Sequence, residues 1–229
     1  MNYIGIDPSL ISTGLVVNGK IYNYCRESSA TNKSGFSKWF KLCEQYVTYR
    51  FIDYREFKDY SEGELVKLKD YDKITDMIVS DIESNINKEE PTIIGIEGYN
   101  FGASVGDLID LVTFSTLLRK KLYDYISHNI NVLSPSSLKL ESCKLTYQPI
   151  DIGVKKPKLI YQNKEGIPGG SFTKREMALA IIDSDINDVW SNHLRSIKDE
   201  LLANKTIKKP YEDVNDACLL YYILSSKGR

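Results

Sequence analysis

Four acidic residues of this chain stand on apolar segments, where a carboxylate is costly to bury. Asp7 ends the first apolar run, NYIGID, and Glu97 ends a later one, IIGIE, which a glycine follows. Asp213 and Asp216 lie three residues apart in YEDVNDACLLYYIL, so they share one face if that segment is a helix. An ionised carboxylate in an apolar setting is stable only when a positive group meets it.

Divalent cations are the positive groups that would explain such a set of acids. Converging carboxylates repel one another and raise each other's pKa unless cations neutralise them. Hard oxygen ligands suit Mg²⁺ or Mn²⁺, and two such ions about 4 Å apart activate water and stabilise the leaving oxygen in phosphodiester hydrolysis. Taken singly, Asp7 could cap its own Pro-Ser turn, and an Asp-x-x-Asp pair could lie on a solvated helix face. The order of strand Asp, strand Glu and helix pair favours the metal site.

The elements that must position these acids follow from hydrophobic patterning. Short apolar and β-branched runs predict strands at about 2–7, 12–18, 20–26, 46–57, 92–98 and 130–135. Apolar residues at helical spacing predict helices at about 63–88, 104–127, 173–184, 190–203 and 211–225. Residues 142–170, with their prolines, glycines and lysines, are interpreted as an irregular insertion. Three successive strands followed by alternating helices and strands predict an α/β fold with a mixed sheet.

Composition narrows the class of protein. A chain of 229 residues with 42% hydrophobic and 27% charged residues fits one α/β domain or two small ones and excludes general disorder. No apolar run approaches the roughly 18 residues of a membrane span, and we expect neither a membrane partner nor a signal segment. Four scattered cysteines without a Cys-x-x-Cys pair, and only two histidines, indicate reduced thiols of an intracellular protein rather than a zinc site.

The net charge of −1 hides a local excess of positive charge. Residues 139–175 contain eight basic side chains against three acidic ones, so the rest of the chain is acidic. Such asymmetry indicates an anion-binding surface, although a solvated lysine-rich loop has the same composition.

Five motifs in this order resemble one family. GIDPSLISTG, IIGIEGYNFG, VLSPSSLK, TKREM and DVNDACLL are similar to segments of the RuvC-type Holliday junction resolvases of the RNase H-like superfamily. The resemblance covers most of the chain except about 27–90 and 142–170. It implies a single RNase H-like nuclease domain over 1–229, a mixed sheet flanked by helices, with insertions at those two places. The size and insertions look more like phage or large-DNA-virus members than the bacterial enzyme.

The resemblance also implies roles for individual residues. The family's metal ligands, holding two Mg²⁺ per active site with Mn²⁺ as a substitute, would be Asp7, Glu97, Asp213 and Asp216. Its catalytic basic residues near the scissile phosphate would be Lys139 and Lys174. The family joins those two elements by a short loop, whereas this chain inserts about thirty residues. Lys139 is therefore the closer match.

Aromatic and basic residues complete the predicted DNA surface. Tyr99 and Phe101 follow the Glu-bearing strand, where the family probes unstacked bases, although either could simply pack on the 104–127 helix. The lysines predicted to clamp a junction arm are Lys144, Lys155, Lys156 and Lys158. Here too, a solvated insertion is the alternative.

The function that the resemblance implies is a magnesium-dependent endodeoxyribonuclease that resolves four-way junctions in DNA recombination and repair. Its partner would be branched DNA, bound by a homodimer formed through the helix at 104–127, in the cytoplasm of the cell or of a viral host. Another RNase H-like nuclease, cutting branched DNA or RNA–DNA hybrids, would use the same acids. An actin-like kinase or ATPase would need a second phosphate loop that the sequence lacks. A DNA-binding module without catalysis is disfavoured because all four acids are present.

Overall fold

The computed structural model describes residues 1–33, 35–52, 57, 59–99, 104–153 and 156–227. The strands are β1 (Asn2–Asp7), β2 (Ser12–Val17), β3 (Lys20–Cys25), β4 (Thr31–Asn32), β5 (Gly35–Phe36), β6 (Val47–Phe51), β7 (Thr92–Glu97), β8 (Ile130–Leu133), β9 (Ile150–Asp151) and β10 (Leu159–Ile160). The helices are α1 (Glu27–Ala30), α2 (Lys38–Cys43), α3 (Tyr60–Glu83), α4 (Val105–Tyr125), α5 (Pro135–Thr146), α6 (Lys174–Asp183), α7 (Val189–Ser196), α8 (Lys198–Leu202) and α9 (Tyr211–Lys227).

One sheet organises the fold. Its strand order is β6-β3-β2-β1-β7-β8, with β1 near the centre. β1 pairs antiparallel with β2 and parallel with β7, and β7 continues parallel to β8. The predicted fold class is confirmed as far as a mixed α/β sheet flanked by helices. A central strand of a sheet with both faces covered should be apolar, and β1 is buried along nearly all its length.

Helices cover both faces of this sheet. Successive side chains of a strand point to opposite faces, so Ile4 and Ile6 of β1 face one helical layer while Gly5 and Asp7 face the other. Ile4 and Ile6 belong to a core that includes α3 and α4 residues such as Ile78. The second layer consists chiefly of α9, α5 and α6. The acid at the end of β1 therefore projects toward α9.

The structure departs from the predicted elements in several places. The helix predicted at 190–203 is divided into α7 and α8, which meet at Ile197. The residues at 142–146 continue helix α5, because Leu138 and Cys143 on its inner face pack into the core. The described residues of the rest of the predicted insertion include the short β9–β10 hairpin and a turn of 3₁₀ helix. Between β3 and β6, short elements α1, β4, β5 and α2 occupy a stretch without a clear sequence pattern. The strand expected at 46–57 is β6, and residues 53–56 lie outside the described residues.

All four cysteines are buried and free. Among the described residues, none of the helices combines the length and the apolar character that crossing a bilayer requires.

Candidate active site

Three carboxylates meet at one end of the two central parallel strands. Asp7 is the last residue of β1 and Glu97 the last of β7. The strands are paired in register, with Gly5 opposite Gly95, so both acids leave the same face at the same level. Asp216 of α9 completes the group, and one oxygen from each of the three carboxylates lies within 4.8 Å of the others.

Glycines allow α9 to approach the sheet closely enough to deliver Asp216. A Cβ on Gly5 would lie 2.1 Å from the carbonyl oxygen of Ala217, and one on Gly14 would lie 2.3 Å from that of Asp213. Both contacts are to helix backbone, which cannot rotate away as a side chain could. Glycine at these two strand positions therefore sets the height of α9 above β1 and β2.

The environment disfavours ionisation of all three acids. Burial raises the pKa of Asp216 to about 8, with the Asp7 charge adding to the effect and Lys174 opposing it. Burial and the neighbouring Glu97 raise the pKa of Asp7 well above its ordinary range. Burial and the charge of Asp216 raise the pKa of Glu97. The cluster carries more negative potential than its surroundings neutralise.

Lys174 supplies part of the missing positive charge. It is the first residue of α6, where Thr173 and Glu176 form a capping box that fixes the start of the helix. Its ammonium group donates to Oδ2 of Asp216. Burial alone would lower the pKa of Lys174, but the three acids outweigh it and raise the pKa.

The donor set fits a divalent cation. Asp216 is fully buried, yet its Oδ1 atom has no hydrogen-bond partner among the described residues. A buried, unsatisfied carboxylate oxygen is costly, and here it lies beside two further carboxylates. Clustered carboxylate oxygens are the hard ligands that Mg²⁺ and Mn²⁺ prefer. The residues that could hold such an ion are Asp7, Glu97 and Asp216.

The fourth predicted acid, Asp213, occupies a separate position beside this group. Its Oδ2 atom accepts a hydrogen bond from the Ser12 hydroxyl at 2.7 Å, and its Oδ1 atom pairs with the Lys209 ammonium at 2.9 Å. Burial raises the pKa of Asp213, with Lys209 and Ser12 opposing the shift. Sequence reasoning missed both partners. The four-residue spacing of Lys209 and Asp213 was the available signal.

Two helix N-termini point toward the acids. Lys139, in the second turn of α5, and Lys174 at the start of α6 both lower the pKa of Glu97, so both charges lie near it. At the far ends of these helices, the Thr146 hydroxyl donates to the carbonyl oxygen of Ala180 at 2.7 Å. The helices thus run side by side in one direction, and the positive ends of both dipoles lie near the acids.

The predicted aromatic probe lies against α4. The Tyr99 ring is half-buried, with the guanidinium of Arg119 4.4 Å from its centroid, and the hydroxyls of Tyr99 and Thr116 are 3.2 Å apart. Phe101 lies outside the described residues. A stacking role for either ring stays a prediction.

The predicted clamp lysines are divided between α5 and the β9–β10 hairpin. Lys144 pairs with Glu141 at 2.8 Å and lies over the Tyr161 ring. Lys156 and Lys158 are exposed on the hairpin, and Lys155 lies outside the described residues. The three described lysines, Lys144, Lys156 and Lys158, are therefore all exposed, and Lys144 is engaged in an ion pair.

No model of a protein family matches the chain, and no curated protein matches it. Among solved structures, it is similar to Thermus thermophilus RuvC, at 12% identity and a TM-score of 0.45, covering 100% of this chain and 97% of that one. T. thermophilus RuvC in complex with a Holliday junction substrate gives 11% identity and a TM-score of 0.47, with 100% and 95% covered.

A more distant similarity is to a non-polymerising mutant of MamK bound to AMPPNP, with 16% identity and a TM-score of 0.28. It covers 87% of this chain and 65% of that one. These similarities concern the overall fold alone, and the activity of this chain has to be argued from its own site.

Proposed function

We propose that the protein is a structure-selective endonuclease that resolves four-way DNA junctions by metal-dependent phosphodiester hydrolysis. The observation that carries the proposal is the convergence of Asp7, Glu97 and Asp216 around an unsatisfied buried oxygen, with Lys174 in contact. Excess buried negative charge beside basic residues is what a site for cations and phosphate requires.

The proposed mechanism gives each side chain a task. Asp7, Glu97 and Asp216 would hold two Mg²⁺, or Mn²⁺ in its place, with Asp213 as the fourth acid beside them. When bound, such ions lower the pKa of water and stabilise charge on a phosphodiester. Lys139 and Lys174, together with the N-termini of α5 and α6, attract the phosphate and orient it toward the acids. Lys209 and Ser12 fix the Asp213 carboxylate.

Exposed apolar residues on α4 support the homodimer in this proposal. Val105 and Ile109 are 76% and 59% exposed, and they lie four residues apart on one helix face. Covering this face with a second copy of the chain would remove it from water and place two active sites on one symmetric particle. Two sites suit paired cuts in opposed strands of a junction.

The wider context is proposed on sequence grounds. The chain's size and its insertions at about 27–90 and 142–170 support a phage or large-DNA-virus enzyme of recombination and repair. It would act on branched DNA in the host cytoplasm.

Cleavage assays with acid variants test the metal site. We expect Asp7→Asn, Glu97→Gln and Asp216→Asn each to abolish cleavage while junction binding persists, because removing like charge leaves the phosphate contacts in place. Glu212→Gln, on α9 but outside the three-acid cluster, is the matched control and should cleave normally. Near-wild-type cleavage by any two of the three variants would contradict the assignment.

Substrate competition tests the specificity. Labelled four-way junction, nicked or flap DNA, linear duplex and an RNA–DNA hybrid are incubated with Mg²⁺, with Mn²⁺ and with chelator. Paired symmetric nicks in the junction are expected, with weak cutting of duplex, since selectivity must come from shape and the positive surface. Preferential degradation of the RNA strand of the hybrid would instead identify a hybrid nuclease.

A further inference from the structure

The β9–β10 hairpin, residues 150–153 and 156–160, stands apart from the main sheet and has one aliphatic face. Ile150 pairs with Ile160, and the Ile152 amide donates to the Lys158 carbonyl at 3.0 Å. Residues directly opposite in an antiparallel pair project from the same face. Ile150, Ile152, Ile160 and Lys158 therefore share a face, while Leu159 lies on the other.

This aliphatic face is open to solvent although the hairpin is well held. Ile150 is 45% and Ile152 49% exposed. The Asp151 carboxylate accepts hydrogen bonds from the Gly153 and Lys158 amides at 2.8 and 2.9 Å, which ties the two strands together. A two-stranded hairpin is marginal by itself, and leaving aliphatic side chains on it in water adds no stability. An ordered ribbon with an uncovered aliphatic face is better explained as a surface that contacts a ligand.

The hairpin is also joined along the chain to the two helices that bring basic residues to the acids. It follows α5, whose N-terminal half carries Lys139 toward Glu97, and it precedes α6, which begins with Lys174. Lys139 and the end of α5 at Thr146 are seven residues apart, or about 10 Å along the helix axis. The hairpin begins four residues beyond Thr146, at the end of α5 that is farther from Glu97.

The charge of the hairpin indicates which class of ligand it would bind. Lys156 and Lys158 are exposed, whereas the Asp151 carboxylate is used by the turn. A positive ribbon with aliphatic side chains matches duplex DNA, whose major groove is about 12 Å wide and admits a two-stranded β-ribbon. The apolar group displayed in that groove is the thymine methyl.

We propose that this hairpin enters the major groove of a junction arm. There Ile150 and Ile152 contact thymine methyl groups, and Lys156 and Lys158 contact the flanking phosphates. The inference rests on the proposed function, and it adds a source of sequence preference that the acids cannot provide. Phosphate contacts would set the position of the junction arm, and the isoleucines would recognise its base sequence.

Replacing thymine by uracil, which lacks the methyl group, tests this directly on the unmodified protein. Two four-way junctions are compared, one with thymine in all four arms and one with uracil at every such position. We expect wild-type protein to bind the thymine junction more tightly by about fourfold for each methyl group contacted. Equal affinity of wild-type protein for the two junctions would overturn the proposal.

Variants assign the effect to the hairpin. Ile150→Ser/Ile152→Ser should bind both junctions equally, whereas Leu68→Ser, at an exposed position of α3, should discriminate as wild type does. Lys156→Ala/Lys158→Ala should weaken both junctions alike and flatten the salt dependence of log affinity by roughly 0.9 for each phosphate that the variant no longer binds. Discrimination retained by the isoleucine variant would overturn the proposal. So would its conversion to a monomer in sedimentation velocity, because the face would then be a protein interface.

The same samples separate this inference from the proposed function. If wild-type protein cleaves the junction but binds the thymine and uracil junctions equally, the nuclease activity is supported and the contact between the hairpin and the major groove is refuted. Absence of junction cleavage removes the proposed function itself.

Discussion

Substituting Gly14 by alanine tests how the sheet positions the acids of α9. The added methyl group would lie 2.3 Å from the carbonyl oxygen of Asp213 and 2.8 Å from its carbonyl carbon. Ordinary contacts of this kind begin at about 3.4 Å, so α9 must move away from β2 by about 1 Å. Because the contact is to backbone, no side-chain rotation relieves it.

The expected loss of stability is modest. Overpacking of this kind lowers the free energy of unfolding by about 1–3 kcal/mol. Replacing glycine by alanine in a strand interior raises it by about 0.5–1 kcal/mol. The net loss of about 0–2.5 kcal/mol corresponds to a fall in Tm of at most roughly 10 °C for a chain of this length. The variant should therefore remain folded at 25 °C.

The expected loss of cleavage is much larger. Asp216 lies one turn further along the same helix and moves with it, and a displacement of about 1 Å from productive geometry costs on the order of 100-fold in rate. Single-turnover junction cleavage at 25 °C measures the rate, and calorimetry measures Tm. Gly106→Ala is the control, since a Cβ there meets nothing within 4 Å and alanine improves the α4 helix. If Gly14→Ala lowers Tm as expected but cleaves at the wild-type rate, close packing of α9 does not position the acids.

Three further outcomes follow from the charges. Since the pKa of Asp216 rises from its ordinary 3.8 to about 8 on folding, wild-type protein in chelator should lose stability as pH rises from about 4 to 8. The free energy of unfolding of Asp216→Asn, measured by urea denaturation, should therefore rise relative to that of wild-type protein between pH 5 and 8. Lys209→Met removes a cation from the Asp213 carboxylate and should tighten Mn²⁺ binding severalfold in calorimetry. Asp81→Asn weakens a bidentate pair with Arg50, at 2.9 and 2.6 Å, and should cost about 1–2 kcal/mol at pH 7. Hydrogen bonds outweigh burial and lower the pKa of Asp81, so that contribution disappears as pH falls below about 3.8.

The strand acids illustrate what the sequence could predict. An apolar run that stops at an acid placed Asp7 and Glu97 at strand ends, and both are there. Their proximity depends on a further fact, the parallel pairing of β1 with β7 in register. That pairing joins strands some ninety residues apart, and no local pattern specifies it.

The acids of α9 show where local reasoning stops. The spacing of three placed Asp213 and Asp216 on one helix face, but it could not distinguish their environments. Ser12, on a distant strand, helps to hold Asp213 apart from the three-acid cluster. Lys174 contacts Asp216, although the insertion between Lys139 and Lys174 made the match of Lys174 to the family look weak. Such tertiary contacts depend on packing that periodicity does not encode.

The burial of every thiol has a practical consequence for experiments on this chain. Burial raises the pKa of Cys25 and of Cys43 to about 12 and that of Cys143 to about 11, and it raises the pKa of Cys218 as well. Thiolates are the reactive form, so all four should be slow toward maleimides at neutral pH. The four native cysteines should therefore not react when a single introduced cysteine is labelled. A fluorophore at one introduced surface cysteine could report the bending of a bound junction without prior removal of the native ones.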